Sequence, residues 1–127
     1  MITVGDIITL VDALEPNQFT SSQKKAWLSS LDGQIYNEIF LTHPRLTENR
    51  EPPSLPYTAL TQELLVPFPY GESVYNHYLQ AMIASELSES ARYNQEMQLY
   101  NAAYREYSNY VNRIMLPETA AENRLKF

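Results

Sequence analysis

The chain has 127 residues, of which 44% are hydrophobic, and this length is typical of one domain with a modest core. Its net charge of −6 argues against a general nucleic-acid binder, which needs a basic surface, and its lack of cysteine excludes disulfides and thiolate chemistry. No apolar run approaches the length of a membrane span, and the first residues lack the basic lead of a signal peptide. We therefore expect one domain over residues 1–127, made in the cytoplasm.

Two helices are predicted within the first 40 residues. Capping-box patterns start them at Thr3 and at Thr20, and Pro16 ends the first one. The second is predicted to run through Gly33 to about Phe40, because its apolar stripe keeps the same phase across the glycine. Apolar residues recur at helical spacing in both: Val4, Ile7, Ile8, Val11 and Leu14, then Trp27, Leu28, Leu31, Ile35 and Ile39.

A proline-rich loop over residues 42–71 is predicted to separate the second and third helices. Six prolines in this range exclude a long helix, and a loop of such length is usually functional or disordered. Its polar first half is expected to be mobile in the free protein. Its apolar second half either packs over its own helices or acts as an arm that docks on a neighbouring subunit by edge pairing. The apolar candidates for such contacts are Leu64, Leu65, Val66, Phe68 and Tyr70.

Two further helices are predicted after the loop. The third opens near Ser73 and the fourth covers Ser88 to Met115, a length of about 40 Å. The serines around Ser88 are better caps than helix-interior residues, so we expect a break or kink there. The predicted buried residues are Val74, Tyr75, Tyr78, Leu79, Met82, Ile83 and Leu87, then Tyr93, Met97, Tyr100, Tyr104, Tyr107, Val111 and Ile114.

The predicted fold is therefore all-α, a small four-helix bundle with a long loop and an extended C-terminal tail over residues 116–127. The tyrosine-rich stripe of the last helix is either ordinary core or core combined with a subunit interface, and Tyr107 and Tyr110 are the interface candidates. Leu125 and Phe127 follow a polar stretch, so they are either an anchor for a partner or part of a frayed terminus.

No catalytic constellation is recognisable. The two histidines, His43 and His77, have no accompanying cysteine and no zinc-site spacing. Glu86 and Glu89 are three residues apart on a helix, which is more typical of a solvated face than of a cation site. We therefore predict a protein that is not an enzyme and has no cofactor. A carboxylate metal-binding bundle built from these glutamates and His77 remains as an alternative.

The chain resembles small proteins from the structural-gene clusters of tailed phages and prophages of Gram-positive hosts. The resemblance covers residues 4–117 and depends on the order and spacing of several short patterns. They are Trp27-Leu28-x-x-Leu31-Asp32-Gly33-x-Ile35, Glu63-Leu64-Leu65-Val66-Pro67-x-Pro69-Tyr70, Tyr75-x-x-Tyr78-Leu79, Arg92-Tyr93-Asn94 and Asn101-x-x-Tyr104. Members of this family tend to have glycine where Ser88 stands here.

Such proteins look like head–tail connectors, also called adaptor or head-completion proteins. The resemblance implies a virion protein of the neck, made in the host cytoplasm, that forms a ring, typically twelve-fold, beneath the portal protein. The ring would bind the next neck or tail-completion protein, and DNA would pass through it without specific binding. The implied contacts are made by the apolar half of the loop and by the tail at Leu125 and Phe127. A tail-completion or terminator protein and a small helical protein-binding regulator remain as alternatives.

Overall fold

The computed structural model describes residues 2–48 and 50–114 and confirms the all-α fold. The α-helices are α1 (Val4–Leu14), α2 (Ser21–Ile35), α3 (Pro44–Thr47), α4 (Tyr70–Glu86) and α5 (Ser90–Ile114). Of these, α3 is a single turn inside the predicted loop, so the other four correspond to the predicted bundle. Within the described ranges there is no β-strand, and one isolated antiparallel bridge pairs Thr3 with Glu63.

Both predicted capping boxes are present. The Thr3 hydroxyl accepts the Asp6 backbone N–H at 3.1 Å, and the Asp6 carboxylate accepts the Thr3 N–H at 3.0 Å. Thr20 and Gln23 make the same reciprocal pair at the start of α2, at 3.2 and 3.0 Å. Each pair satisfies backbone donors that a helix start would otherwise leave free, which fixes where these two helices begin.

The second helix continues through Gly33, as its apolar phase predicts, and then changes its winding. A π-helical turn (Tyr36–Phe40) follows α2 directly, and the Leu41 N–H donates to the Tyr36 carbonyl at 2.9 Å. The helical segment therefore ends at the predicted residue, but its last turn is wider than predicted. This turn places Ile39 and Phe40 in the core.

The break between α4 and α5 is confirmed at Ser88. This residue has a φ of 57°, in the left-handed region that favours glycine, so the chain reverses here and α5 returns along α4. Tyrosine rings line the contact between the helices, with centroids 5.3 Å apart for Tyr78 and Tyr100 and 5.9 Å apart for Tyr100 and Tyr104. The α4 helix starts at Tyr70, three residues earlier than the predicted Ser73.

Most predicted apolar faces point into one core, but residues at three helix ends do not. Leu87 and Ile114 are 51% and 45% exposed, so their predicted burial is wrong, and Leu14, the last residue of the α1 stripe, is 56% exposed. Each stands in or just after the last turn of its helix, where the packing partner has ended. Alanines that periodicity did not single out, including Ala84 and Ala103, are buried at α4 and α5 instead. Among the described residues, no helix is long and apolar enough to cross a membrane.

Candidate interaction surface

A buried carboxylate holds the apolar half of the loop against the helices. Asp32 of α2 is fully buried, with none of its surface exposed. Its carboxylate accepts the hydroxyls of Tyr57 and Tyr75, each at 2.5 Å, and the Leu65 backbone N–H at 3.1 Å. We call Asp32, Tyr57, Leu65 and Tyr75 the Asp32 hub. It joins α2, two points of the loop and α4 through one side chain.

Burial dominates the electrostatics of the Asp32 hub. Removal from water raises the pKa of Asp32 above its usual range, and the three hydrogen bonds together with the Arg50 charge offset part of that increase. Burial, followed by the neighbouring Asp32 charge, raises the pKa values of Tyr57 and Tyr75 as well. Both hydroxyls therefore stay protonated at neutral pH and remain able to donate to the carboxylate.

Two further hydrogen bonds fix the loop around the Asp32 hub. The Tyr75 hydroxyl accepts the Val66 N–H at 2.8 Å, and the Ser29 hydroxyl accepts the Tyr57 N–H at 2.8 Å. Because the backbone donors of Tyr57, Leu65 and Val66 have buried partners, this part of the loop has one defined path.

The start of the chain pairs with the other edge of the same loop segment. The Leu64 N–H donates to the Ile2 carbonyl at 2.9 Å, and the Val4 N–H donates to the Gln62 carbonyl at 2.9 Å. The Gly5 N–H donates to the Leu60 carbonyl at 2.8 Å. Edge pairing of this loop therefore occurs within the chain.

Three of the predicted interface residues lie in the protein's own core. Leu64, Leu65 and Val66 are buried, Val66 completely and Leu64 to within 2%. This agrees with the interpretation in which the segment packs over its own helices. A contact between them and a partner would require the segment to leave the core, because the hydrogen bonds above hold it there.

Phe68 is different from its neighbours. It stands between Pro67 and Pro69, only two residues beyond the fully buried Val66, and 69% of its surface is exposed. Its ring borders an open cleft of about 420 Å³. We call this cleft the Phe68 groove; its lining residues are Ile2, Asp6, Ile7, Leu10, Phe68 and Glu72. The groove has an apolar floor from α1 and carboxylates at the first turns of α1 and α4.

The tyrosine candidates form a cluster where α4 begins and α5 approaches its end. The ring centroid of Tyr70 lies 5.8 Å from that of Tyr107 and 4.9 Å from that of Tyr110. Tyr107 is buried, and burial raises its pKa to about 12, whereas Tyr70 and Tyr110 are half-buried. This tyrosine cluster thus contributes Tyr107 to the core and leaves Tyr70 and Tyr110 partly exposed. The other two candidates, Leu125 and Phe127, lie outside the described residues.

The residues of the alternative metal site do not converge. His77 Nδ1 lies 2.8 Å from a carboxylate oxygen of Glu96, and Glu89 pairs with Arg92 at 3.1 Å. Glu86 is exposed at the end of α4. Across residues 2–48 and 50–114, no group of three histidine, cysteine, aspartate or glutamate side chains is placed to hold a metal ion.

The other histidine has a structural position. His43 is buried, with Nδ1 2.6 Å from the Ile39 carbonyl oxygen and Nε2 2.8 Å from Asn112 Oδ1. The contact with Asn112 joins the first half of the loop to the last turn of α5. The sequence had predicted that this half of the loop would be polar and mobile.

Sequence reasoning missed the Asp32 hub, although a signal was present. Asp32 lies four residues after Leu28 and three before Ile35, so helical spacing places it on the apolar stripe of α2. The pair Asp32-Gly33 is also a typical turn signal, which masks this position on the stripe. A carboxylate in the middle of a buried stripe requires hydrogen-bond donors, and the hydroxyls of Tyr57 in the loop and Tyr75 in α4 supply them.

Comparisons of the chain with protein-family models, with curated proteins and with solved structures find no match to any of them.

Proposed function

We propose that the chain is a structural subunit of the head–tail connector of a tailed phage or prophage. In this proposal it forms a ring that docks on the portal protein and extends the DNA channel toward the tail. The observation that carries the proposal is Phe68, a large apolar side chain that is 69% exposed on a loop held by buried hydrogen bonds. An exposed aromatic side chain beside an apolar cleft is suited to a protein contact, since aromatic residues are enriched at interfaces.

The rigidity of the loop favours a docking role over accidental exposure. Binding is weakened when a loop must become ordered at the interface, and a loop that is already fixed avoids that cost. The Asp32 hub fixes the backbone up to Val66, and α4 begins at Tyr70, so Phe68 lies between two anchored points. Its ring is thus presented in one place before any partner arrives.

Ring assembly needs two different surfaces on each subunit, because a head-to-tail contact that closes on itself builds a ring. The Phe68 groove offers one surface. The outer face of α5 offers a second of different chemistry, rich in uncharged amides: Asn94, Gln95, Gln98, Asn101 and Asn109 are all exposed. Polar faces of this kind suit wet interfaces with bridging water.

The acidic character of the chain is compatible with a conduit for DNA. A net charge of −6 repels phosphates, which favours passage of DNA without retention. The proposed partners are other copies of the chain in a ring, typically of twelve subunits, the portal protein, and the next neck or tail-completion protein. The proposed location is the neck of the virion, after synthesis in the host cytoplasm.

Two other functions remain as alternatives. A tail-completion or terminator protein would form a similar ring on the tail instead of the portal. A small helical regulator would use the tyrosine cluster, whose half-buried Tyr70 and Tyr110 resemble the amphipathic residues of protein interfaces. The regulator predicts a small defined oligomer that does not bind portal.

The test is negative-stain imaging of the protein mixed with purified portal protein of the same phage, beside light scattering of the protein alone. We expect a ring at the narrow end of the portal with the wild type, and loss of that ring with Phe68→Ala. The control Leu14→Ala removes an exposed apolar side chain at a different place, the end of α1, where Leu14 is 56% exposed. This substitution should leave the ring intact.

Other outcomes separate the alternatives. Rings that form only in the absence of portal, or only with tail components, would indicate the tail-side function. A monomer or dimer in every sample would contradict assembly and favour the regulator.

A further inference from the structure

The Phe68 groove combines an apolar floor with an acidic edge. Ile2 and Ile7 line it and are buried, whereas Phe68 at its border is 69% exposed. Asp6 and Glu72 place exposed carboxylates beside these apolar side chains. The volume of about 420 Å³ lies at the lower end of the range for sites that enclose a ligand, about 300 to 1,000 Å³. The groove therefore has room for the side chains of a short segment.

The three sides of the groove are fixed to one another before any partner binds. The Leu64 N–H donates to the Ile2 carbonyl at 2.9 Å, which joins the loop to the residues before α1. A Cβ added at Gly71 would lie 2.8 Å from Ile2 Cδ1, so the first turn of α4 packs directly against the floor. A site that keeps its shape loses less free energy to ordering when it binds a partner. The groove is therefore preformed.

The two carboxylates of the groove differ from the next acidic residues along the chain. Those residues have basic partners at 2.6 and 2.9 Å: Asp12 with Lys24, and Glu15 with Arg92. Across residues 2–48 and 50–114, Asp6 and Glu72 form no salt bridge. Their negative charge is thus not neutralised by a basic side chain of that part of the chain.

The helix starts offset only part of this negative charge. Asp6 is the third residue of α1 and Glu72 is the third residue of α4. A helix start carries about half a positive charge, so each carboxylate leaves about half a negative charge at its helix start. The edge of the groove therefore attracts a basic side chain of a partner. It repels phosphate groups and anionic membrane surfaces.

We infer that the Phe68 groove binds a short segment of a partner protein in which large apolar side chains are flanked by lysine or arginine. The apolar side chains lie against Phe68 and the floor, and the basic side chains lie at Asp6 and Glu72. Apolar burial supplies most of the attraction, and the charges select the segment. This inference rests on the docking role proposed for Phe68 and names the chemistry of what docks there. It does not require the partner to be a portal protein.

The test titrates the folded chain with a synthetic peptide, acetyl-Gly-Lys-Leu-Phe-Lys-Gly-amide, while methyl NMR follows Ile2, Ile7 and Leu10. Two matched peptides replace both lysines by serine or by glutamate, and a third replaces the leucine and phenylalanine by serine. We expect saturable shifts with the lysine peptide and none with the peptide that lacks apolar side chains. The lysine peptide should bind about 2- to 25-fold tighter than the serine-flanked one, since each exposed ion pair contributes about 1.4- to 5-fold. The glutamate peptide should bind most weakly.

Matched variants assign the binding to the groove. Phe68→Ala should weaken binding of the lysine peptide at least about fivefold. Glu72→Gln should weaken it about 1.4- to 5-fold and leave the serine-flanked peptide unchanged, and added salt should act in the same direction. The controls on α5 are Leu99→Ala, at a residue that is 42% exposed, and Glu106→Gln, at another exposed acidic residue. Neither should change the affinity, and circular dichroism checks that every variant keeps its helical content.

Three results would overturn the inference. The first is the absence of saturable shifts at Ile2, Ile7 and Leu10 with the lysine peptide up to about 5 mM. The second is equal affinity for the lysine and glutamate peptides. The third is a set of shifts at these methyl groups that depends on the concentration of the chain alone, because this would place a second copy in the groove.

These titrations contain no portal protein, so their outcome is separate from that of the connector proposal. Peptide binding as expected, without a ring on the portal, would contradict the connector and leave this inference standing. A portal ring that is lost with Phe68→Ala, in a chain that does not bind the lysine peptide, would contradict this inference alone.

Discussion

Residues 64–66 and residue 68 belong to one apolar run, yet their exposure to solvent in the folded chain is opposite. The first three are buried and their backbone donors reach Ile2, Asp32 and Tyr75, whereas Phe68 is mostly exposed. Hydrophobicity alone does not separate them. The difference comes from buried polar partners, which fix the backbone of the first part and leave the second part at a fixed point on the surface.

The largest expected effect comes from breaking the fixed part at its centre. Asp32→Ala removes the acceptor of two tyrosine hydroxyls and of the Leu65 N–H, all of them buried. Each donor left without a partner costs about 1–3 kcal/mol, so we expect a loss of at least about 3 kcal/mol in the free energy of unfolding. Urea unfolding followed by circular dichroism measures it. A loss below about 1 kcal/mol would show that the Asp32 hub is not what holds the loop.

The next effect tests the close approach of the loop to α4. A Cβ added at Gly71 would lie 2.2 Å from the Val66 carbonyl oxygen and 2.8 Å from Ile2 Cδ1. The backbone oxygen has little room to move, so Gly71→Ala should cost about 1–3 kcal/mol. The control is Gly33→Ala in α2, where the nearest neighbour is Leu55 Cδ1 at 3.6 Å. It should instead stabilise the fold by about 0.5–1 kcal/mol, since alanine favours helix. Equal effects at both sites would contradict the packing described here.

A pH series sharpens the electrostatic part of the comparison. Burial raises the pKa of Asp32 in the folded chain above its ordinary value of 3.8, so the folded chain binds this proton more tightly than the unfolded chain. The favourable contribution is complete below pH 3.8 and is lost as pH rises through the raised pKa. The free energy of unfolding of the wild type, minus that of Asp32→Asn, should therefore fall as pH rises above 3.8 and through the raised pKa of Asp32. A difference that increases with pH would mean that the hydrogen bonds outweigh burial.

The smallest effect on stability is expected at Phe68. Because its ring is mostly exposed, Phe68→Ala should change the free energy of unfolding by no more than about 0.5 kcal/mol. Leu64→Ala, four residues earlier and 2% exposed, should cost about 2–5 kcal/mol. Thermal unfolding of both variants makes the comparison directly. A cost at Phe68 similar to that at Leu64 would identify Phe68 as a core residue and remove the main support for its docking role.

Helix starts and stops were predictable because their causes are local. Thr3 with Asp6 and Thr20 with Gln23 satisfy backbone donors within a few residues, and Pro16 acts on the residue before it. The break at Ser88 likewise follows from poor helix formers around one position. Such signals need no knowledge of the tertiary fold.

The candidate surface was only partly predictable, because it depends on contacts distant in sequence. Tyr57 and Tyr75 approach Asp32 across 25 and 43 residues, and no local pattern reports such a meeting. Leu65 and Phe68 have equivalent apolar character in the sequence, so the loop's exposed point could be separated from its buried part only once those contacts were known. The same reason explains why Leu87 and Ile114 were predicted as core residues.

Native-state hydrogen exchange of the free protein tests most directly whether the loop is fixed before any partner binds. The amides to follow are those of Leu65 and Val66, which donate to Asp32 and to the Tyr75 hydroxyl. We predict that both exchange only through global unfolding, with protection equal to that of core amides in α4 and α5. Exchange of both amides near the rates of an unfolded chain would contradict the account, since Phe68 would then stand on a loop that is not held.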